Sequence, residues 1–198
     1  TISREFGSGG RLIGKRLAEK LGVPYYDKEL LDRIAEESGF SREMMRMRRR
    51  RRRTVFSTVL YLLWEQLKPV RRVCLSMNVF FLAQFDTIKE IAGEGSCIIV
   101  GRCADYILRG MPEATNVFIY AEEEDKIKRA VEEYGIPQEH VKKLMKDTDK
   151  ARANYYAYHT GQKWGEPVNY HLSIDSGYIG IEDIADLIIK YTDVKLFR

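Results

Sequence analysis

The residues with the clearest chemical potential form a glycine cluster near the start of the chain, Gly7-Ser8-Gly9-Gly10. Glycine adopts positive φ angles without a steric penalty, so the backbone N–H groups of such a cluster can turn toward one anion. A glycine run alone is also typical of a flexible turn. Here strand-like residues precede it and an amphipathic helical pattern follows, which adds a helix N-terminus beside the anion. The predicted chemistry is therefore phosphate binding.

The spacing of the glycines allows two registers for this loop. The pattern G-x-x-x-x-G-K-[ST] nearly matches at Gly9, Gly14 and Lys15, but Arg16 stands where a hydroxyl is required. We reject this register because it would place the apolar residues 12–13 inside the phosphate loop and leave a helix of about two turns.

In the register that we adopt, the loop runs from Arg4 to Gly10 and the helix from about Arg11 to Leu21. Gly10 and Arg11 then occupy the positions of the usual loop lysine and magnesium-binding hydroxyl. The charge of either Arg4 or Arg11 can replace that of the lysine. Either Ser8 or the phosphates alone can hold Mg²⁺.

Other charged residues stand where parallel strands and helices would turn them toward a ligand. Arg102 directly follows the apolar stretch 97–100 and Gly101, and ligands of parallel α/β sheets bind beyond the carboxyl ends of strands. Asp149 and Arg152 are three residues apart on a predicted helix, so they share a face. On spacing alone, that pair is more typical of a surface ion pair. Asp27 has the position of an N-cap for a helix that starts at Lys28.

The elements that must position these residues alternate between short apolar strands and amphipathic helices. This alternation predicts an α/β fold with a parallel central sheet flanked by helices. We expect one domain over 1–198, with a core formed by 1–38 and 93–198 and a helical insertion at 39–92. The insertion suits either acceptor binding or a homodimer interface formed by helices within 54–92. The aromatic, glycine-spaced segment 150–168 suits either a lid or an ordinary packed loop.

The N-terminal residues are similar to those of a known family. The stretch from Ser3 to Arg11, followed by the helix 13–22 and by Pro-Tyr-Tyr-Asp-Lys-Glu-Leu at 24–30, resembles the cytidylate kinase-like family, which has an altered phosphate loop. The resemblance covers 1–38 and about 96–190. It implies a P-loop nucleoside monophosphate kinase-like fold with a helical acceptor-binding insertion and a lid. It also implies a phosphotransferase that uses ATP and Mg²⁺, with the loop from Arg4 to Arg11 at the donor phosphates.

The resemblance further implies which residues bind the acceptor. In cytidylate kinases the second strand ends in an aspartate, and an arginine six residues later reaches the acceptor phosphate; Asp27 and Arg33 match that spacing. Arg102 matches the arginine of a Gly-Arg-Asp motif that contacts the acceptor phosphate or base. Cys103 replaces the aspartate of that motif, which weakens the assignment of cytosine as the base, and Asp105 is a candidate substitute.

The resemblance gives the pair on the long helix a second interpretation. Asp-x-x-Arg matches the lid motif of cytidylate kinases, in which the arginine clamps the transferring phosphate and the aspartate recognises the acceptor sugar or base. We therefore expect Arg152, Arg11 and Asp149 to be the catalytic residues. Arg152 and Asp149 also belong to the expected acceptor site, with Asp27, Arg33 and Arg102.

Composition restricts the remaining possibilities. The 198 residues include 44% hydrophobic and 31% charged residues, as in a soluble globular domain, and no run approaches the length of a membrane span, about 18 apolar residues. Neither the cysteines (Cys74, Cys97, Cys103) nor the histidines have metal-ligand spacing, so we expect that side chains alone bind no metal. We expect the cysteines to be free thiols in a reducing cytoplasm. Because the chain begins at Thr1 without methionine, we expect a few apolar residues to precede it.

The arginine run from Arg48 to Arg53 leaves a further possibility open. Such a block is usually solvated, but it can hold nucleic acid or acidic lipid by charge, or form a positive rim for nucleotide phosphates.

Our main prediction is a kinase that transfers the γ-phosphoryl group of ATP to a nucleoside monophosphate, CMP-like or dCMP-like, or to a similar acceptor. The alternative is a nucleotide-binding regulatory module with impaired catalysis, because the loop lacks its lysine and hydroxyl. We expect neither nucleic acid nor a membrane to be the main partner.

Overall fold

The computed structural model describes residues 1–27 and 80–196. Arg33, the predicted helix after Lys28 and the arginine run from Arg48 to Arg53 lie outside the described residues, as does Cys74. The chain divides into two compact units, one formed by Thr1–Lys28 with Ile91–Arg198 and the other by Glu29–Glu90. All residues of the candidate site discussed below belong to the first unit.

The described elements alternate between short strands and helices, as the sequence predicts. The strands are β1 (Ile2–Arg4), β2 (Tyr25–Tyr26), β3 (Ile98–Ile99), β4 (Val117–Tyr120) and β5 (Leu172–Asp175). The helices, numbered within the described residues, are α1 (Gly10–Leu21), α2 (80–94), α3 (Ala104–Ile107), α4 (Glu123–Glu132), α5 (Gln138–Thr160) and α6 (Ile181–Leu196).

The strands form a parallel sheet in which β1 is central. β1 pairs with β4, β4 pairs with β5 and β2 pairs with β3, each in parallel register. A parallel bridge between Ile2 and Val100 joins the two parts, which gives the strand order β2-β3-β1-β4-β5. The predicted parallel sheet is confirmed, and the carboxyl ends of all five strands lie at one edge.

One face of the sheet carries the main apolar core. Ile2, Val117 and Ile119 point to this face and pack against α1 and α6. The matching helix residues are buried and recur at helical spacing, which is why these segments form amphipathic helices: Ile13 and Leu17 in α1, and Ile184, Ala185 and Ile188 in α6.

The opposite face of the sheet is partly polar. Ser3 and Phe118 are paired residues on this side, and Ser3 faces α3 and α5 through the carboxylate of Asp105. Phe118 packs edge-to-face against Trp164, with ring centroids 5.4 Å apart, and against Tyr170 at 5.0 Å. Trp164 belongs to the second half of segment 150–168, and the first half of that segment is the end of α5.

The buried face of α2 consists of small, polar and aliphatic residues. Ala83, Gln84, Thr87, Ile88 and Ile91 are buried, whereas Phe81 and Phe85 are only partly buried. The two phenylalanine rings contact each other, with centroids 6.3 Å apart. Among the described helices, none is long and apolar enough to cross a membrane.

Candidate functional site

The glycine-rich loop connects β1 to α1 in the predicted register. The helix begins at Gly10, and its N-cap Gly9 has a left-handed backbone with φ 76°. Gly7 is also left-handed, with φ 77°. Lys15, which the rejected register would place at the phosphate, is an exposed residue of the helix. The loop therefore lies at the carboxyl end of the central strand, where α/β proteins bind their ligands.

Close packing requires glycine at two positions of this loop. A Cβ on Gly7 would lie 2.6 Å from the carbonyl oxygen of Lys126, which belongs to the backbone of α4. A Cβ on Gly10 would lie 2.5 Å from the Cβ of Arg4, whose side chain passes directly over the start of α1. These approaches bring α4 and Arg4 against the loop.

Several loop amides have no acceptor within the described residues. The backbone N–H groups of Gly7, Gly10 and Leu12 donate no hydrogen bond there, whereas the N–H of Ile13 donates to the carbonyl oxygen of Gly9 at 3.0 Å. Unpaired amides in the first turn of a helix, together with the positive end of its dipole, suit an anion. The main chain thus fits a bound phosphate group.

Arg4 is the centre of a group of guanidinium side chains at the end of β1. Burial, followed by the nearby charge of Arg152, lowers the pKa of Arg4 to about 10, and Arg11 and Arg102 act in the same direction. The side chain remains charged near neutral pH. Four like charges in one region repel each other, and a bound polyanion would relieve this repulsion.

Arg152 and Asp149 of α5 contact the phosphate loop as well as each other. Nη1 of Arg152 donates to a carboxylate oxygen of Asp149 at 2.9 Å and to the carbonyl oxygen of Arg4 at 3.1 Å. The Asp149 carboxylate accepts from the N–H of Phe6, with distances of 2.8 and 3.1 Å to its two oxygens. The pair is therefore not an ordinary surface ion pair, since both partners hold the loop.

This arrangement bears on the role of Asp149 that the resemblance implied. Its carboxylate is engaged by the Phe6 amide and by Arg152, so the geometry does not support direct recognition of an acceptor sugar or base. Burial raises the pKa of Asp149, and the Phe6 amide and Arg152 oppose that rise. Burial likewise lowers the pKa of Arg152, and Asp149 opposes that shift. Each group therefore favours the charged state of the other.

Arg102 follows β3 in an unusual backbone turn. Gly101, Arg102 and Cys103 have φ angles of 82°, 58° and 56°, so three consecutive residues are left-handed. A Cβ on Gly101 would collide with the guanidinium of Arg4. The guanidinium carbon of Arg102 lies 5.4 Å from the centroid of the Tyr155 ring on α5, a cation–π contact. The turn and the aromatic ring together direct Arg102 toward the face of α5 that carries Arg152.

Arg11 and Asp27, which the sequence assigned to different ligands, form an ion pair with each other. The guanidinium of Arg11 donates to the Asp27 carboxylate at 2.8 Å. Burial alone would lower the pKa of Arg11, but the bond to Asp27 raises it above its ordinary value. Arg4 is better placed than Arg11 to supply the charge of the missing lysine, because Arg11 is half-exposed and bound to Asp27.

The hydroxyl of Ser8 does not fit the expected magnesium contact. Ser8 is fully buried, and its Oγ donates to the carbonyl oxygen of Glu5 at 2.9 Å. The described residues contain no group of three or more side chains that could hold a metal ion. Because Mg²⁺ commonly keeps several waters and binds through substrate phosphates, the chain fits an ion that arrives with the phosphates.

Asp105 does not replace the aspartate of the Gly-Arg-Asp motif at the ligand. It is only 3% exposed, and its carboxylate accepts from the hydroxyl of Tyr156 at 2.6 Å and, in a longer contact, from Ser3 at 3.4 Å. Its role is to tie α3 to α5 on the polar face of the sheet. The sequence showed an acidic residue in the first turn of a helix but not which way it points.

The buried carboxyl of Asp105 should give the stability of the protein a specific pH dependence. Burial raises its pKa above the ordinary value of 3.8. Its contribution to the free energy of unfolding is then complete below about pH 4 and is lost as the pH rises through the folded-state pKa. We expect the unfolding free energy of wild type, relative to Asp105→Asn, to decline as the pH rises above about 4.

Urea denaturation of both proteins at several pH values measures this difference. Because the two proteins differ only at residue 105, their difference reports this carboxyl together with its effect on the pKa of the nearby N-terminal amine. A difference that stays constant over this pH range would contradict the raised pKa.

Two residues that contact the loop were not found from the sequence. Arg129 of α4 and Ser176, directly after β5, both bond to carbonyl oxygens of the phosphate loop. The only signal in the sequence was the position of Ser176 at the carboxyl end of a strand. Arg33 lies outside the described residues, so its predicted role remains a prediction.

The geometry defines a class of protein. A parallel sheet of order β2-β3-β1-β4-β5, helices on both faces and a glycine-rich loop before the first helix make up the α/β fold of the P-loop kinases. The predicted fold class is confirmed. The chain belongs to the cytidylate kinase-like family, whose model matches residues 1–178.

Two solved structures resemble this chain. The chain is similar to an uncharacterized protein from Eubacterium ventriosum ATCC 27560, with 31% identity, a TM-score of 0.74, and coverage of 97% of this chain and 96% of that one. It is also similar to TT1252 from Thermus thermophilus, with 15% identity, a TM-score of 0.53, and coverage of 98% and 95%. At that identity the second likeness concerns the fold alone. No curated protein matches the sequence.

Proposed function

We propose that the protein is a small-molecule kinase that transfers the γ-phosphoryl group of ATP to a nucleoside monophosphate, CMP-like or dCMP-like, or to a similar phosphate-bearing acceptor. The observation that carries the proposal is the grouping of Arg4, Arg102 and Arg152 beside loop amides that lack acceptors. These three guanidinium groups come from three different elements, which suits two phosphate-bearing substrates that meet at this point.

In this proposal each part of the site has its own task. The loop amides, apart from that of Ser8, which points to the Glu5 carbonyl oxygen, bind the donor phosphates. Arg4 supplies the charge that a loop lysine usually provides. Arg102, fixed by its turn and by Tyr155, binds the acceptor phosphate. Arg152 faces the charge that spreads over the phosphoryl oxygens during transfer. When bound, ATP supplies the phosphoryl group and Mg²⁺ neutralises part of its charge.

Asp149 has an orienting task in this scheme. Its carboxylate holds Nη1 of Arg152 at 2.9 Å and the Phe6 amide at 2.8 Å, so it keeps the arginine aimed at the loop. Phosphoryl transfer demands little covalent chemistry from a protein, and positioned cations account for most of the catalysis. The residues of this site are of the kind that such a reaction requires.

A second candidate function is favoured by the composition of the loop. Gly10 and Arg11 stand where the lysine and the magnesium-binding hydroxyl are usual, and Ser8 is buried. A nucleotide-binding regulatory module of the same fold would keep the anion site without catalysis. It predicts ATP binding without measurable transfer to any acceptor.

A screen of acceptors separates the two functions. We expect ADP release from ATP and Mg²⁺ to increase with one or more of the common nucleoside monophosphates, or with a phosphorylated small alcohol, above the rate without acceptor. Phosphorylated product is identified by mass spectrometry, and ATP binding is measured by calorimetry in parallel. ATP binding with no product from any acceptor would favour the regulatory module, and absence of ATP binding would exclude both functions.

A further inference from the structure

The outer side of the phosphate loop is held by two side chains, Arg129 and Ser176, which we call the brace. Arg129 donates from Nη1 to the Gly7 carbonyl oxygen at 2.8 Å and from Nη2 to the Ser176 carbonyl oxygen at 3.2 Å. Ser176 is 2% exposed and donates from Oγ to the Ser8 carbonyl oxygen at 2.6 Å. Two consecutive carbonyl oxygens of the loop are thus held by groups distant in sequence.

Fixing a carbonyl also fixes the direction of the amide in the same peptide group. A trans peptide is planar, so its N–H points opposite to its C=O. With the Ser8 carbonyl turned toward Ser176, the N–H of Gly9 faces away from Ser176. With the Gly7 carbonyl turned toward Arg129, the N–H of Ser8 points to the Glu5 carbonyl oxygen, 3.4 Å away.

The loop needs such an external constraint because of its own residues. Gly7 and Gly9 flank Ser8, and glycine permits both signs of φ, so the intervening peptides can rotate at little steric cost. A rotated Ser8–Gly9 peptide would present a carbonyl oxygen to the phosphate instead of an N–H. In a loop without a lysine, the correct direction of each amide has more influence on phosphate affinity.

The packing around the brace is consistent with a fixed geometry. The guanidinium carbon of Arg129 would lie 3.4 Å from a Cβ on Gly9, so it lies flat against the loop. Ser176 is itself held at the end of the sheet, since its N–H donates to the Tyr120 carbonyl oxygen at 2.9 Å. Nearby, Lys126 binds the Glu5 carboxylate at 2.8 Å. The brace therefore connects the loop to β4, β5 and α4.

We propose that Ser176 and Arg129 are positioning residues that keep the Ser8–Gly9 peptide in the orientation that binds the polyphosphate of the donor. This inference rests on the proposed function, because it takes the loop to be the donor site. Both residues act through the loop and not by contact with the ligand. Their loss should weaken polyphosphate binding and raise the KM for ATP, while kcat at saturating ATP changes little.

The test compares Ser176→Ala with Ser173→Ala, a matched control at an exposed serine of β5. The dissociation constants of ATP and of inorganic tripolyphosphate are measured by calorimetry. Because tripolyphosphate has no base or sugar, its affinity reports binding of the phosphates alone. For both ligands we expect Ser176→Ala to bind about five- to tenfold more weakly, as expected for one buried hydrogen bond, and Ser173→Ala to bind like wild type.

Two further measurements distinguish positioning from a general loss of stability. Hydrogen–deuterium exchange of the peptide covering residues 5–11 should be faster in Ser176→Ala, while exchange in β4 stays unchanged. Arg129→Lys, which keeps one donor, should bind tripolyphosphate with an affinity between those of wild type and Arg129→Met. If Ser176→Ala melts below the assay temperature, the two Arg129 variants provide the same comparison.

The outcomes separate this inference from the proposed function. If the wild-type protein binds ATP and tripolyphosphate but Ser176→Ala and Arg129→Met bind them equally well, the brace has no positioning role and the proposed function is unaffected. If the wild-type protein binds neither ligand, the loop is not a donor site, and both proposals are overturned.

Discussion

Replacement of Arg152 with alanine is expected to lower kcat by at least about a hundredfold, the largest effect of any single arginine in the site. Arg152 is the residue whose guanidinium reaches both the Asp149 carboxylate and the carbonyl oxygen at the end of β1. In the proposed reaction it faces the transferring phosphoryl group, where a cation stabilises the transition state more than the ground state. The KM for ATP should therefore change much less than kcat.

Steady-state kinetics with the best acceptor from the screen measure this effect. Arg109→Ala is the matched control, because Arg109 is exposed and its guanidinium donates to the side chain of Asn169 at 3.3 Å, away from the loop. Arg152→Lys should retain part of the activity, since an ammonium group keeps the charge but not the planar pair of donors. Unchanged kcat in Arg152→Ala would remove this arginine from the mechanism.

Replacement of Gly7 with alanine is expected to abolish ATP binding in the accessible concentration range. Gly7 has φ 77°, and a Cβ there would lie 2.6 Å from the Lys126 carbonyl oxygen, which is backbone and cannot move independently of α4. The loop must therefore shift away from α4, and the contacts of Arg129 and Lys126 with it are lost. Calorimetry with ATP and a thermal melt measure the two consequences.

Gly22→Ala provides a control with the same backbone strain but no collision. Gly22 has φ 63°, caps the C-terminus of α1, and has no heavy atom within 4 Å of the position of a Cβ. We expect this change to cost about 1 kcal/mol of stability, the usual penalty of a left-handed alanine, with no effect on ATP affinity. Wild-type affinity in Gly7→Ala would show that the loop does not bind the donor in this conformation.

Local sequence patterns were sufficient to predict the strands and helices of the core and the register of the glycine-rich loop. The apolar residues Leu12 and Ile13 required a helix where the alternative register required a loop, and Ile13 is buried in α1. Short apolar strands of the kind at 97–100 and 117–120 predicted a parallel sheet, whose strand order then places Arg4 and Arg102 at the same edge. These features depend on contacts between near neighbours or on rules of connectivity.

The tertiary contacts of the site were less predictable. The bond between the Asp149 carboxylate and the Phe6 amide joins residues 143 positions apart, and no local pattern reports it. Ser176 resembled any serine at the end of a strand. Asp105 follows Arg102 closely enough in sequence to be a candidate for ligand binding, but its side chain is buried. In each case the direction of a side chain decides its role, and that direction is set by packing between distant elements.

The left-handed turn at Gly101, Arg102 and Cys103 has a consequence for protein engineering. Arginine and cysteine each adopt this backbone at a cost of about 1 kcal/mol or more, which glycine would avoid. Directed evolution for thermal tolerance alone would consequently enrich Arg102→Gly, a variant that gains stability by losing the guanidinium that we propose for the acceptor phosphate. Libraries of this protein should be selected for turnover and heat resistance together.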